Sequence, residues 1–320
     1  MKIIRVASIV GGIALVGLIF VALVVLPLLL ASANSPALMH TPADKGLAFR
    51  DIELHPGDQP ITIRAWWMPA AGPVAATLFV HGGNANREDF YLGALDYYRA
   101  LHERNISVLA IDLRNHGASD RSASGHLTFG KEEQFDARAA LDWLRATCPG
   151  LPIVGSGNSM GGATHLAAAG GRLDGLVLVD RVLDNESAIT GAIAATLGVP
   201  RALAIPTAWS AIHLVSTQTL PANPIDAAAS LSVPVLLIQD ETDPVARAQF
   251  ARAFAQRNSH VELHVIGLAD DDAVQVSAGG WGAHVSAFRR QPKQVMTIVD
   301  RFLASIGRGI KASAGNRSSQ

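Results

Sequence analysis

Ser159 is the residue of this chain best placed to act as a nucleophile. It lies between Gly157 and Gly161, after a short apolar run and before a helix-like stretch, so the sequence predicts a sharp turn from a strand into a helix. Such a nucleophile elbow strains the backbone of the serine and exposes its hydroxyl. The alternative is a glycine-rich turn that only packs a helix close to a strand. A nucleophilic role therefore requires partners elsewhere in the chain.

The required base is a histidine, oriented by a carboxylate. At a nucleophile elbow the acid and then the histidine follow the serine in the chain. His284 lies in a glycine-rich loop between the last predicted strand and the last predicted helix. The other histidines after Ser159 lie in the elbow helix, along a strand, or before any late acid. His284 is therefore the predicted base.

The acid is expected after a strand that lies between the serine and the histidine. Asp243 is preferred because Pro244 can begin the next helix while Asp243 points out of the loop. Asp240 is the alternative acid. The acidic run at residues 270–272 is interpreted as solvated surface.

Acyl transfer also requires backbone N–H groups that stabilise an oxyanion. One commonly comes from the residue after the nucleophile and one from the loop after the third strand. Here these residues are Met160 and Gly83, and the turn His81-Gly82-Gly83 permits close approach of the backbone. No metal site is expected. The single cysteine, Cys148, excludes an internal disulfide and a thiolate cluster.

The elements that position these residues alternate between apolar strands and helix-like stretches. This alternation predicts a doubly wound, mostly parallel α/β sheet, with ligands beyond the carboxyl ends of its strands. Strands predicted at residues 46–53 and 61–67 flank a turn and form an antiparallel N-terminal hairpin. The predicted domain covers residues 46–307, and residues 308–320 form a polar C-terminal tail.

Residues 181–232 contain no obvious strand and are rich in Ala, Leu and Ile. They are interpreted either as an inserted helical cap over the site or as ordinary helices that cover the sheet. If they form a cap beside a membrane anchor, the apolar surface of the cap suits an apolar substrate.

The N-terminus carries an uncharged run at residues 6–33, preceded by Lys2 and Arg5. This run is long enough to span a bilayer, and the positive-inside rule places the rest of the chain outside the cytoplasm, on the periplasmic or extracellular side. Residues 1–33 are predicted to be an uncleaved transmembrane anchor. A cleaved signal sequence is the alternative, because Ala31-Ser32-Ala33 offers a small-residue cleavage site and cleavage would yield a secreted protein. Residues 34–45 are polar with two prolines and are interpreted as a linker.

The overall charge narrows the class of partner. A net charge of −1 over 320 residues provides no basic field for nucleic acid. A small-molecule substrate is the expected partner, together with the membrane.

Five segments, in order and in spacing, resemble the alpha/beta-hydrolase superfamily over residues 46–306. They are His81-Gly82-Gly83, the run from Asp112 to Asp120, the run from Gly157 to Gly162, the run from Asp240 to Val245, and Gly282-Ala283-His284. The sequence looks closest to the monoglyceride-lipase-like and serine-aminopeptidase-like branch, whose members cleave esters or amides without a cofactor. Asn158 stands where many relatives carry histidine, and Asp240 where many carry glycine.

The resemblance implies an alpha/beta-hydrolase fold, here preceded by one transmembrane helix. The residues predict a membrane-anchored serine hydrolase that cleaves carboxylic esters, with lipid or acyl esters as candidates, through a Ser159-His284-Asp243 triad and an acyl-enzyme. A peptidase or amidase with the same triad is one alternative. A non-catalytic hydrolase-fold binding module is the other.

Overall fold

The centre of the protein is an eight-stranded sheet with the strand order β1-β2-β4-β3-β5-β6-β7-β8. The computed structural model describes residues 2–168, 172–215, 223–267 and 281–317. The β1–β2 and β2–β4 pairs are antiparallel and the other five pairs are parallel, which confirms the predicted mostly parallel sheet with an antiparallel N-terminal hairpin. The strands are β1 (Arg50–Leu54), β2 (Ile63–Met68), β3 (Ala75–Val80), β4 (Ile106–Ile111), β5 (Ile153–Asn158), β6 (Gly175–Val179), β7 (Val235–Asp240) and β8 (Val261–Ile266).

Helices precede the sheet, alternate with its strands and follow it. They are α1 (Lys2–Phe20), α2 (Leu26–Ala31), α3 (Ala94–His102), α4 (Glu133–Thr147), α5 (Ser159–Ala168), α6 (Asn185–Leu197), α7 (Arg201–Ser210), α8 (Ala248–Arg257), α9 (Ala287–Arg290) and α10 (Pro292–Arg317). The predicted polar tail therefore begins inside α10, and residues 318–320 lie outside the described residues.

The three central strands, β3, β4 and β5, are buried along their whole length. Successive side chains of a strand point to opposite faces, so Leu78 and Val80 join one core cluster while Phe79 joins the other. Helices α4, α5 and α8 pack against the first face, and α3, α9 and α10 against the second. Because both faces are covered, these strands are near-continuous apolar runs in the sequence.

The helix after β3 begins later than the amphipathic pattern from Glu88 suggests. Gly93 has a φ of 75° and stands at the N-cap of α3, so the helix starts at Ala94. Residues 88–93 instead form turns at the carboxyl edge of the sheet.

The N-terminus forms one long apolar helical segment. A π-helical turn, Val21–Val25, joins α1 to α2, and the stretch Ile9–Ala31 is long and apolar enough to cross a membrane. Among the described residues, the bent pair of α6 and the helix after it meets the same criterion only if the pair is counted as one span.

Residues 34–45 lie against the loop that follows β3. The Asn34 N–H donates to Asn84 Oδ1 at 2.8 Å, and the Ser35 hydroxyl donates to the Ala85 carbonyl at 2.7 Å. Glu88 accepts a hydrogen bond from the Met39 N–H at 2.7 Å. The segment predicted to be a linker is therefore held along the domain by its backbone and by the Ser35 side chain.

The described part of residues 181–232 contains helical segments between β6 and β7. After α6 and α7 come a π-helical turn, Ala211–Val215, and a 3-10 helix, Pro224–Ser230. Residues 216–222 lie outside the described residues.

Candidate active site

Ser159 lies at the junction of β5 and α5 with a φ of 46°. A positive φ is strained for a residue with a side chain, as expected at a nucleophile elbow. A Cβ added at Gly161 would lie 2.1 Å from the carbonyl oxygen of Val80, and one added at Gly157 would lie 2.8 Å from the same oxygen. Because β3 passes this close to the elbow, only glycine fits at these two positions.

The structure brings the three predicted triad residues together. His284 Nε2 lies 3.0 Å from Ser159 Oγ, and His284 Nδ1 lies 2.7 Å from Asp243 Oδ2. The His284 and Asp243 side chains are buried. In this arrangement the histidine can take a proton from the serine hydroxyl, while the carboxylate orients the ring through its other nitrogen.

Asp243 is oriented by the first amides of the chain that follows it. Its Oδ1 accepts hydrogen bonds from the N–H groups of Val245 at 2.7 Å and Ala246 at 2.8 Å, which leaves Oδ2 for the histidine. The carboxylate of Asp240, the alternative acid, instead accepts from the Thr242 hydroxyl at 2.7 Å and from the Thr242 N–H. The geometry therefore favours Asp243 over Asp240 as the partner of the histidine. The acidic run at residues 270–272 lies outside the described residues.

Asp180 is a third buried carboxyl group beside these two, and the sequence did not single it out. It follows β6 with a φ of 40°, and its Oδ1 accepts hydrogen bonds from the Asp240 N–H at 2.6 Å and from Gln239 Nε2 at 3.1 Å. Burial and the neighbouring Asp243 and Asp240 raise its pKa well above the usual value. This shift favours the neutral form of Asp180, and its Oδ1 holds the acid loop through the Asp240 N–H and the Gln239 side chain.

Gly83 and Met160, predicted to supply the oxyanion donors, both line the cavity at Ser159. A Cβ at Gly83 would lie 3.6 Å from the sulfur of Met160, so the two segments are adjacent. Met160 is the second residue of α5, and N–H groups in the first turn of a helix have no acceptor within that helix. The position suits a donor to a developing negative charge.

Two buried histidines fix the loop that carries Gly83. His81 Nδ1 donates to the Gly82 carbonyl at 2.7 Å, so its Nε2 accepts from the Leu113 N–H at 3.0 Å. His116 Nε2 accepts from the Asn84 N–H at 3.1 Å. Burial lowers the pKa of both rings, to about 4 for His116. Both therefore stay neutral and act as hydrogen-bonding supports for the loop.

Asp89 is a second site residue that the sequence did not reveal. It lies in the turns before α3, lines the cavity and accepts a hydrogen bond from Asn158 Nδ2 at 2.8 Å. Its pKa is raised by burial. Asn158, which departs from the common family pattern, thus ties the residue before the nucleophile to the turns at residues 88–93. The unusual Asn158 was the only signal of this contact in the sequence.

A cavity of about 350 Å³ opens onto Ser159 and His284, a volume within the range of small-molecule sites. The described residues contain no group of three or more His, Cys, Asp or Glu side chains arranged to hold a metal ion. The helical insertion, the N-terminal helix and the loops of the sheet edge all contribute apolar side chains to the cavity wall. These include Leu30, Leu127, Phe129, Ile189, Ile193 and Ile212.

The fold is shared with solved hydrolases. An esterase from Pyrococcus furiosus is similar with a TM-score of 0.68 and 22% identity over 86% of this chain and 98% of its own. The alpha/beta hydrolase GrgF from Penicillium sp. sh18 gives 0.59 and 18% over 82% and 99%. A thermophilic esterase from Thermogutta terrifontis gives 0.55 and 19% over 81% and 99%. At these identities the likeness shows the fold alone.

Sequence comparison gives the family. A comparison with curated proteins finds no match. The profile of the alpha/beta hydrolase family matches residues 77–299, which include the elbow, the acid loop and His284. The chain therefore belongs to the alpha/beta hydrolase family.

Proposed function

We propose that this protein is a serine hydrolase that cleaves carboxylic esters. The observation that carries the proposal is the continuous hydrogen-bonded series from Ser159 Oγ through His284 to Asp243 Oδ2, with distances of 3.0 and 2.7 Å. The esterases among the structural neighbours have the same fold and agree with this reaction class.

The mechanism follows from the positions of the donors and acceptors. Ser159 Oγ attacks the acyl carbonyl carbon while His284 Nε2 takes the hydroxyl proton. The N–H groups of Gly83 and Met160 stabilise the oxyanion. Collapse of the tetrahedral intermediate breaks the bond to the leaving alcohol, which takes the proton from His284, and an acyl-enzyme remains. Water then attacks the acyl-enzyme with His284 as base, and the carboxylic acid leaves without any cofactor.

An amide substrate is the alternative, and Asp89 is the group that could hold a substrate amine in the cavity. Its carboxylate is already engaged by Asn158 at 2.8 Å and by the Leu92 N–H at 3.2 Å, and burial raises its pKa. A buried carboxyl group whose two oxygens already accept hydrogen bonds is a poor amine site, so esters are preferred.

The same proposal extends to the organisation of the chain. Residues 1–33 are the membrane anchor, residues 46–307 the catalytic domain, and residues 181–232 a cap over the cavity. With Lys2 and Arg5 on the cytoplasmic side, the catalytic domain lies outside the cytoplasm. Cleavage of the anchor would convert the membrane protein into a secreted one.

Labelling with a fluorophosphonate probe tests the catalytic proposal. The wild type should be labelled, and Ser159→Ala should lose both labelling and ester hydrolysis. Ser305→Ala is the matched control, because Ser305 lies in α10 and donates to its own helix at the Phe302 carbonyl. A wild type that stays unlabelled and inactive on short esters would support a non-catalytic binding module instead.

A further inference from the structure

Helix α7 has its apolar side chains on the outside. Leu203, Ile205 and Trp209 are exposed by 68%, 53% and 48%. The buried positions of the same helix hold small or polar residues, namely Ala204, Thr207, Ala208 and Ser210. A helix on the surface of a water-soluble domain shows the opposite pattern. From residue 202 to 215 the chain carries no Asp, Glu, Lys or Arg.

The inside-out helix packs against the N-terminal apolar helix. Val21 and the preceding residues from Ile9 are exposed, whereas residues 22–26 are half-buried and Pro27 is buried. Pro27 has no N–H, so the Leu23 carbonyl lacks its usual α-helical donor, and the Ser210 hydroxyl donates to it instead. One hydrogen bond thus joins α7 to the segment predicted to lie in the bilayer.

The length of the anchor sets the depth of this contact. A helix rises 1.5 Å per residue, so a hydrocarbon core of about 30 Å takes about 20 residues. Counted from the residue after Arg5, those residues end near Val25, and Leu23 lies inside the outer edge of the core. The face of α7 beside Leu23, including Leu203 and Trp209, is then in contact with lipid.

The same elements form the apolar side of the catalytic cavity. Leu30 and Ala31 of the anchor and Ala211 and Ile212 of the π-helical turn after α7 line it. The anchor is fixed there because the Leu127 N–H donates to the Ala31 carbonyl at 3.0 Å. The membrane anchor is therefore one wall of the substrate cavity, and not only a tether.

We propose that the substrates are long-chain acyl esters resident in the bilayer, which reach Ser159 along the wall formed by the anchor and the π-helical turn. The proposal rests on the proposed ester hydrolase function and deepens it. The lipid bilayer is the occupant of the exposed face of α7, because this face is continuous with the membrane-spanning helix.

The test compares two esters with the full chain in phosphatidylcholine vesicles. One is a fluorogenic palmitoyl ester dissolved in the bilayer and the other is p-nitrophenyl butyrate in the aqueous phase. Leu203→Ser should lower the ratio of bilayer to aqueous turnover about tenfold, since it places a hydroxyl where a leucine contacted hydrocarbon. Val74→Ser is the matched control: Val74 is 61% exposed and comes just before β3, at the amino-terminal ends of the strands and so at the opposite end of the sheet from the active site. It should change the ratio by less than about twofold.

The outcomes separate the two proposals. A wild type that hydrolyses neither ester would contradict the proposed function itself. If the wild type is active and Leu203→Ser and Val74→Ser have the same ratio of bilayer to aqueous turnover, only the proposal of a bilayer-resident substrate is overturned. If Leu203→Ser leaves the ratio unchanged but splits a dimer measured by light scattering, a second copy of the chain covers α7 and the proposal is wrong.

A fluorescence measurement checks the position of α7 without using activity. Brominated phosphatidylcholine should quench part of the tryptophan emission, and Trp209→Phe should remove most of that quenching. Of the five tryptophans, Trp209 is the exposed one, whereas Trp66 and Trp67 are buried and Trp143 and Trp281 are half-buried. Quenching that is equal in both proteins would place α7 away from the lipid.

Discussion

Asp243 and Asp240 are three residues apart on one loop, but they serve different partners. The Asp243 carboxylate is hydrogen-bonded to His284 Nδ1 and to two backbone amides, whereas the Asp240 carboxylate accepts a hydrogen bond from the Thr242 hydroxyl. Asp243→Asn should lower kcat on a short ester by about 10³- to 10⁴-fold, because an amide no longer holds the ring in the tautomer that accepts the serine proton. Asp240→Asn is the matched control and should cost less than about tenfold. The reverse order in steady-state kinetics would make Asp240 the acid.

Asp180 gives the site a pH-dependent stability. Its raised folded pKa means that the folded protein keeps a proton that the unfolded chain releases above about pH 4. Its contribution to stability therefore falls as pH rises from the unfolded pKa towards the folded pKa. Asn at position 180 does not titrate. The unfolding free energy of Asp180→Asn, relative to that of the wild type, should therefore rise with pH by up to about 1.4 kcal/mol per pH unit over this window. Denaturant unfolding at pH 4, 6 and 8 measures this, and a constant difference would contradict it.

The sequence predicts Ser159, Asp243 and His284 because the chain order of an elbow, an acid loop and a late histidine is a local and directional pattern. It does not predict Asp180 or Asp89, since a carboxyl at the end of a strand or in a turn looks the same whether buried or solvated. Only the tertiary structure shows that Asp180 faces the Asp240 backbone and that Asp89 faces Asn158.

At the scale of elements, the elbow depends on the close approach of β3 to α5. Gly161→Ala would place a methyl 2.1 Å from the Val80 carbonyl oxygen and 2.5 Å from that of His81. We expect a loss of about 3 kcal/mol or more in unfolding free energy together with loss of probe labelling. Gly57→Ala, where nothing lies within 4 Å, should stay within about 0.5 kcal/mol of the wild type. Equal stability of the two variants in thermal unfolding would show that the backbone adjusts.

The helical insertion shows what hydrophobic pattern can and cannot predict. Its composition predicts helices, and helices are present in the described part. Whether Leu203 and Ile205 face the sheet or the outside depends on which side of α7 meets the anchor, and that contact joins residues 187 positions apart. The start of α3 is also hidden in the hydrophobic pattern, because the turns that end at Gly93 precede the helix within one amphipathic stretch.

At the scale of the whole molecule, the orientation across the membrane is the main expectation. The variant Val74→Cys in a Cys148→Ala background places one thiol on the exposed turn before β3, and Cys148 itself is buried. A membrane-impermeant maleimide should label this thiol in intact cells, because we expect Lys2 and Arg5 to keep the N-terminus on the cytoplasmic side. Labelling that requires cell lysis would place the domain in the cytoplasm.

The parallel sheet and its antiparallel entry were predictable because each strand carries its own burial pattern. The docking of the N-terminal helix was not. An apolar run predicts a span from composition alone, and a polar stretch at residues 34–45 predicts a linker, but neither pattern indicates that Leu30 lines a cavity or that Asn34 bonds the loop at Asn84.

The possible cleavage site Ala31-Ser32-Ala33 is not accessible to a protease in the folded chain. Ala33 is 4% exposed, its N–H donates to the Gly125 carbonyl at 3.2 Å, and Ser32 forms a β-bridge with His126. A signal peptidase needs this backbone extended and free, so it can cut only before the domain closes over it. If the chain is exported as proposed, the relative rates of folding and proteolysis would decide between an anchored and a released form. Cleavage after Ala33 would also remove Leu30 and Ala31 from the wall of the substrate cavity.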